Sequence, residues 1–181
     1  MIQHDQKIYT AEDYWKLPEG ERAELIDGQF YDMAPPGFVH QKLVSELHNR
    51  LMNHVKANGG GCEVIPAPFA VNLNADDRKW VEPDISVICD KEKLSERGCE
   101  GAPDFVIEVV SPSSRKMDYT MKTSLYSEAG VREYWIVDSL KRRTTVYRFE
   151  EDVAPIVFPF EADIVVGIYK NLDINVGKLL E

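Results

Sequence analysis

Two short apolar runs, each carrying a single carboxylate, most constrain how this chain can fold. Residues 81–88 contain Asp84, and residues 105–110 contain Glu108. The neighbours of Glu108 on both sides are Phe, Val and Ile, which is typical of a strand covered on both faces. Leaving an ionised carboxylate there without a partner would cost several kcal/mol, so Glu108 must meet a cation, a hydrogen-bond network or a proton.

A helix is predicted shortly after the Glu108 strand. Within it Asp118, Lys122 and Tyr126 are spaced four residues apart, which places them on one helix face. Lys122 is therefore the best candidate for a cation near Glu108. Tyr126 and Asp118 would fix the orientation of that face, which makes Tyr126 a supporting candidate.

Two acids at the ends of adjacent strands suit a hard divalent cation. Mg²⁺ (or Mn²⁺) prefers carboxylate oxygens and water, and no cysteine or histidine cluster in the sequence competes for this role. Such an ion activates water and stabilises charge on a phosphoryl oxygen. The pattern predicts a phosphodiester hydrolase with Asp84 and Glu108 as metal ligands, and with Lys122 as the third catalytic residue.

The remaining elements predict a single α/β domain over residues 1–181, with one mixed sheet flanked by helices (α+β). Asp27-Gly28 lies between two strand-like runs and is typical of a type I′ hairpin turn. Between His40 and Ala57 the apolar residues recur every three or four positions, which predicts an amphipathic helix.

Two further residues could support the site, and each has a simpler interpretation. Glu24 is either a fourth acid near the metal or a hairpin residue. His40 could reach the site from the start of its helix, or be a solvated or capping histidine. Asp84 alone could be a turn residue.

A structural interpretation of Glu108 also stays open. Lys122, Arg115 or Lys116 could pair with it in an ion pair that has no catalytic role.

The charge of the chain argues against a broad basic surface. The formal net charge is -10 and the isoelectric point is about 4.9, whereas proteins that bind nucleic acid usually carry a basic face. A local cluster would have to supply the cations, and the candidates are Arg115, Lys116, Lys122 and the turn Lys141-Arg142-Arg143.

Other features of the sequence predict a cytoplasmic protein without a membrane span. The apolar runs are far too short to cross a bilayer, and residues 1–7 lack the basic head and apolar run of a signal peptide. The three cysteines, Cys62, Cys89 and Cys99, form no C-x-x-C pair, so we expect them to be reduced.

These segments resemble the PD-(D/E)XK nuclease superfamily and, more narrowly, its Uma-type restriction endonuclease family. The likeness spans roughly residues 10 to 150 and rests on Glu24-Leu-Ile-Asp-Gly28, Pro83-Asp84-Ile-Ser-Val, Pro103-Asp-Phe-Val-Ile-Glu-Val-Val-Ser-Pro-Ser, the Asp118/Lys122/Tyr126 ladder and Gly130-Val-Arg-Glu-Tyr-Trp-Ile-Val-Asp138. The resemblance implies a restriction-endonuclease-like fold, a Mg²⁺-dependent site acting on DNA, and a homodimer.

One position departs from the pattern of the superfamily. Its lysine stands two residues after the second acid, where this chain has Val110. In related families that lysine can move to the following helix, and this role is carried over to Lys122. If the lysine has not moved, the chain would be a catalytically inactive nuclease-fold protein that acts as a binding or regulatory module.

Overall fold

The computed structural model describes residues 7–181. Its helices are α1 (Ala11–Tyr14), α2 (Phe38–Ala57), α3 (Arg115–Tyr119) and α4 (Met121–Ala129). Its strands are β1 (Ala23–Ile26), β2 (Gln29–Asp32), β3 (Glu63–Pro66), β4 (Val71–Asn72), β5 (Lys79–Val81), β6 (Ile85–Ile88), β7 (Leu94–Ser95), β8 (Gly98–Glu100), β9 (Phe105–Val109), β10 (Glu133–Asp138), β11 (Arg143–Arg148), β12 (Ile156–Pro159), β13 (Asp163–Val165) and β14 (Asp173–Asn175).

Residues 1–6, most of the segment in which the sequence predicts no signal peptide, lie outside the described range. Within the described range, the helices are all too short or too polar to cross a membrane.

The strands form two mixed six-stranded sheets and a separate two-stranded one. The first sheet has the order β2-β1-β5-β4-β8-β7, the second has the order β12-β11-β10-β9-β6-β3, and β13 pairs with β14. The predicted mixed α+β fold with flanking helices is confirmed, but the prediction of a single sheet is wrong.

The two sheets separate within residues 81–88, the apolar run that contains Asp84. The structure ends β5 at Val81 in the first sheet and begins β6 at Ile85 in the second. Pro83 lies between them and has no backbone N–H to donate to a sheet ladder. The chain therefore changes sheets across residues 82–84, and Asp84 stands at the crossing.

The first hairpin forms as predicted. Strands β1 and β2 pair antiparallel with Ile26 opposite Gln29. Asp27 has φ 50° and Gly28 has φ 78°, which are the positive values that a type I′ turn requires at both central residues.

Strand β9 lies between two hydrophobic cores, because successive side chains point to opposite faces of a sheet. Phe105, Ile107 and Val109 join the core that contains the apolar face of α2. Val106 and Val110 join the core that contains residues of α4. Glu108 has the same parity as this second set, so its side chain points toward α4.

The predicted helix around Lys122 is interrupted. Thr120, with φ −125° and ψ −79°, separates α3 from α4. Its hydroxyl donates to the Lys116 carbonyl at 2.6 Å, and such bonds back to the preceding turn compete with regular helix geometry. The prediction of one continuous helix is wrong, although Asp118 and Lys122 remain neighbours.

The expectation of three reduced cysteines is also wrong in the structure. Cys62 and Cys89 form a disulfide, while Cys99 is free and buried. The cause is strand register: β3 pairs with β6 so that Glu63 faces Ile88, which makes Cys62 and Cys89 the next opposing pair. Their separation of 27 residues carries no sign of this pairing.

Candidate active site

Glu108 is buried, as predicted, and both of its hydrogen bonds come from α4. The side chain is 5% exposed. Its Oε1 accepts a hydrogen bond from Lys122 Nζ at 2.8 Å and another from Tyr126 Oη at 2.6 Å. The structure thus selects Lys122 among the three cations considered as partners.

Asp84 lies opposite Glu108 across the strand pair. Strands β6 and β9 run antiparallel with Ile85 facing Ile107, so the next position in this register brings Asp84 and Glu108 together. Side chains at opposing positions have Cβ atoms roughly 5 Å apart on one face of the sheet. The two carboxylates therefore share a face, as the sequence predicted.

The orientation of Asp84 is fixed by two donors that both end on Oδ2. One is the backbone N–H of Val109 at 2.8 Å, and the other is Nε2 of His40 at 3.2 Å. His40 therefore reaches the site from the first turn of α2, which answers the question left open by the sequence.

The ammonium of Lys122 lies among three carboxylates. It is 2.8 Å from Glu108 Oε1, 2.9 Å from Glu24 Oε1 and 4.0 Å from Asp118 Oδ1. We call Glu24, Glu108, Asp118 and Lys122 the Lys122 cluster, and all four side chains are buried.

Glu24 joins this cluster because of the way the first sheet is paired. It lies on β1, which pairs with β5, and its Oε1 also accepts the backbone N–H of Glu82 at 3.0 Å. Of its two interpretations, the structure supports placement beside the other acids.

The sequence pattern indicates Asp118 only as a neighbour of Lys122 on a helix face, but in the structure Asp118 is a member of the Lys122 cluster. Its Oδ2 accepts a hydrogen bond from Ser114 Oγ at 2.7 Å. Its Oδ1 is buried and receives no hydrogen bond from the residues that the structure describes. The four-residue spacing between Asp118 and Lys122 is the sequence feature that could have predicted this placement.

Burial and mutual repulsion shift the titration of these groups. Burial raises the pKa of Glu108 well above its usual value, and the nearby charge of Lys122 offsets this only in part. Burial likewise raises the pKa of Asp118 to about 6. For Lys122, burial by itself would lower the pKa, but the charges of Glu108 and Glu24 outweigh it and raise the pKa well above its usual value. Lys122 is therefore a cation at neutral pH.

Two supporting residues shift in the same direction. Burial raises the pKa of the Tyr126 hydroxyl well above normal, so Tyr126 remains a hydrogen-bond donor. For His40, burial lowers the pKa, but the hydrogen bond and charge of Asp84 outweigh burial and raise it.

The acids outnumber the cations around this point. Glu24, Asp84, Glu108 and Asp118 face one ammonium and one imidazole. A buried excess of carboxylates requires further protons or a further cation.

These residues fit a divalent ion that takes few protein ligands. Within residues 7–181, no group of three or more His, Cys, Asp or Glu side chains is arranged so that it could hold a metal ion. Mg²⁺ usually keeps several waters and binds through one or two carboxylates. Asp84 and Glu108 supply that number, and the buried Oδ1 of Asp118 accepts no hydrogen bond from the described residues.

A cavity of about 480 Å³ gives access to this position. Its walls include Glu24, His40, Asp84, Glu108 and Lys122, together with the loops at residues 33–37 and 111–114. Every catalytic and supporting residue singled out in the sequence, except Tyr126, lines this one cavity.

The basic residues proposed for DNA contact are mostly engaged elsewhere. Arg115 pairs with the buried Asp138 at 2.7 Å, and Arg142 pairs with Glu161 at 2.6 Å. Lys122 is buried, whereas Lys116 and Lys141 are exposed. Sequence reasoning missed a cation that does line the cavity, namely Arg22.

The fold places this chain with a known structural class. The structure of a protein from Anabaena variabilis, described as a "putative nuclease belonging to DUF820", superposes with a TM-score of 0.77. The match covers 94% of this chain and 97% of that protein at 23% sequence identity. This likeness establishes a shared fold.

Sequence comparison identifies the family. The profile of the Uma2 family, described as "Putative restriction endonuclease", matches residues 11–166. The chain belongs to this family. An uncharacterized protein of Synechocystis sp. is 27% identical over 156 residues, which cover 84% of this chain and 80% of that protein.

Proposed function

We propose that this protein is a metal-dependent DNA endonuclease that hydrolyses phosphodiester bonds. The observation that carries the proposal is the pairing of Asp84 with Glu108 across β6 and β9, at a cavity that also holds the ammonium of Lys122. Membership of the Uma2 family and the fold shared with the Anabaena protein support the same reaction class.

Asp84 and Glu108 would hold Mg²⁺ or Mn²⁺. When bound, such an ion supplies Lewis acidity for a water and for the phosphoryl oxygens. His40 and the Val109 N–H orient Asp84, and the Tyr126 hydroxyl orients Glu108. All three contacts limit the freedom of the two carboxylates.

Lys122 acts as a fixed positive charge beside Glu108. Its raised pKa keeps it protonated, so it cannot accept a proton as a general base. An ammonium in this place offsets the charge that develops on the phosphate.

The position of Val110 supports the transfer of the lysine role to α4. Val110 lies two residues after Glu108, on the same face of the chain, and is buried in the core that includes α4. A lysine on α4 therefore approaches Glu108 from the side that a lysine at residue 110 would occupy.

We further propose a homodimer, a cytoplasmic location and a single domain, as the family resemblance and the sequence imply. Comparing the sedimentation of the pure protein with its chain mass of 20.7 kDa tests the oligomeric state. A sedimenting species of one chain mass at all concentrations would exclude the dimer.

A second candidate function is a catalytically inactive nuclease fold that binds or regulates. The observation that favours it is the pairing of Lys122 with both Glu24 and Glu108, which leaves its ammonium engaged as in a structural ion pair. Val110 at the usual lysine position points the same way.

Cleavage of supercoiled DNA separates the two functions. The wild type should nick or linearise the plasmid with Mg²⁺ or Mn²⁺, whereas Asp84→Ala should not. Asp173→Ala is the matched control, because Asp173 is an exposed acid on β14 that does not line the cavity. Metal-dependent DNA binding without cleavage by the wild type would favour the regulatory function.

A further inference from the structure

Arg22 is a cation at the cavity that the proposed mechanism does not use. Its side chain is 38% exposed and contributes to the cavity wall. Its Nε and Nη2 both donate to Glu82 Oε2, at 3.1 Å and 2.5 Å. Within the described residues these are the two hydrogen bonds of the guanidinium, so the N–H groups of Nη1 remain for a ligand.

Glu82 holds Arg22 in a defined orientation. Its carboxylate is only 11% exposed, and Oε1 accepts a hydrogen bond from Tyr14 Oη at 3.1 Å. The backbone N–H of Glu82 donates to Glu24 Oε1, which also binds Lys122. The guanidinium is thus connected through two acids to the Lys122 cluster.

Strand geometry directs Arg22 into the cavity. Arg22 directly precedes β1 and lies two residues before Glu24, and side chains two residues apart in an extended chain point to the same side. Both residues accordingly line the cavity.

Arg22 also differs from the other cations of the cavity wall. Lys122 is buried between Glu24 and Glu108, and His40 is engaged by Asp84. Of the cationic side chains described along this wall, Arg22 alone is more than a third exposed while also being held by a buried carboxylate.

We propose that Arg22 forms a phosphate subsite, which binds a phosphodiester of the DNA next to the one that is cleaved. This inference rests on the proposed function and specifies how the same site holds its substrate. The guanidinium fork matches the geometry of phosphate oxygens, and an arginine already oriented by Glu82 loses little freedom on binding. Because Glu82 offsets the long-range field of Arg22, the subsite acts through short-range hydrogen bonds.

Substitution of Arg22 tests the subsite by DNA affinity. Arg22→Gln should weaken binding of a short DNA duplex about tenfold, the typical value of a charge-assisted hydrogen bond. Fluorescence anisotropy with Ca²⁺ in place of Mg²⁺ measures binding without cleavage. Arg22→Lys keeps the charge without the fork and should recover only part of the affinity. In cleavage assays KM should rise while kcat changes little.

The matched control is Arg132→Gln. Arg132 is similarly exposed, at 40%, and is likewise paired with a partly buried carboxylate, Asp104, at 3.3 Å, but it does not line the cavity. The DNA affinity of this control variant should stay within about twofold of wild type, because the substituted cation makes no contact with the DNA.

A phosphate scan identifies the contact itself. The duplexes each carry one neutral methylphosphonate linkage, at a different position. One of these positions should lower the DNA affinity of the wild type, whereas the affinity of Arg22→Gln should not fall further when the neutral linkage is at that position. The same loss in both proteins would overturn the subsite. If the wild type still cleaves plasmid with Mg²⁺, the proposed function survives that result. A wild type that neither binds nor cleaves DNA would overturn both.

Discussion

Two ionic clusters built around buried acids lie at neighbouring strands, and they are built differently. The Lys122 cluster is attached to β9. The Asp138 cluster, which consists of Arg115, Tyr119 and Asp138, lies at the end of β10. Strands β9 and β10 pair in parallel, so Glu108 and Asp138 belong to the same sheet.

The Asp138 cluster is balanced. Arg115 meets both carboxylate oxygens of Asp138, at 3.0 Å and 2.7 Å. The Tyr119 hydroxyl and the Lys141 N–H complete the donors to Asp138. One acid thus meets one guanidinium and is fully hydrogen-bonded, which suits a group that joins α3 to the sheet.

The Lys122 cluster is unbalanced. Three carboxylates share one ammonium, Asp84 adds a fourth nearby, and a cavity leads to the group. Balanced burial is enough to hold a fold together. An excess of buried carboxylates that a cavity reaches is better explained by a ligand that is itself positive, and this contrast separates a candidate site from a structural ion pair.

The largest expected effect is on cleavage, at Glu108. Glu108→Gln preserves the size of the side chain but removes the charge that would hold the metal. The rate should fall by roughly 10³-fold or more, because a metal ion contributes several kcal/mol of charge stabilisation. Plasmid cleavage under single-turnover conditions measures the rate of the variant. A rate near that of wild type would contradict the claim that the Lys122 cluster is a reactive site and the Asp138 cluster a structural one.

Lys122→Met should affect both cleavage and stability. The rate should fall about 10²–10³-fold through loss of a positioned charge. Unfolding free energy should fall by about 3–5 kcal/mol, since removing one partner leaves buried carboxylates uncompensated.

Adding Glu24→Gln to Lys122→Met should restore part of the stability without restoring cleavage. Urea denaturation and plasmid cleavage of the two variants measure both quantities. Wild-type cleavage by the single variant would show that Lys122 is structural.

Asp138→Asn should affect stability alone. Asn keeps the acceptor for Lys141 N–H but weakens the pairing with Arg115, at a cost of about 1–3 kcal/mol. Denaturant unfolding measures the cost. Cleavage should match that of wild type, and a large loss of activity in a folded variant would mean that the balanced cluster also serves the reaction.

The smallest expected effect concerns pH. The pKa of Asp118 is raised from 3.8 to about 6 in the folded protein, so between these values the folded state holds more protons than the unfolded state. The contribution of Asp118 to stability is therefore complete below about pH 4 and is lost as pH rises through 6.

Asp118→Asn should remove this pH dependence, which for a shift of about two pKa units amounts to at most about 3 kcal/mol. The difference between wild-type and variant unfolding free energies from pH 4 to 7 isolates it. A constant difference over that range would show that the pKa of Asp118 is not raised on folding.

Local patterns in the sequence predicted much of the fold. The Asp27-Gly28 turn, the α2 helix and the burial of Glu108 all follow from short-range periodicity and turn chemistry. The four-residue spacing placed Lys122 and Tyr126 on one helix face, whereas the choice of Lys122 over Arg115 and Lys116 as the partner of Glu108 required the structure.

What the sequence did not reveal depends on pairing between distant segments. The exchange of sheets at Pro83 and the Cys62–Cys89 disulfide depend on which strands become neighbours. The placement of Glu24 requires β1 to pair with β5. No periodicity within a single segment encodes such pairing, so the second sheet was found only in the structure, and the choice between the two interpretations of Glu24 also required it.

Titration calorimetry with Mn²⁺ tests the central claim most directly, because it asks whether the unbalanced site binds a cation. The wild type should bind one or two ions, and Asp84→Asn and Glu108→Gln should each weaken that binding. Asp138→Asn should retain the wild-type affinity, since its acid is matched by Arg115. Equal Mn²⁺ affinity in all four proteins, or no binding by the wild type, would contradict the account.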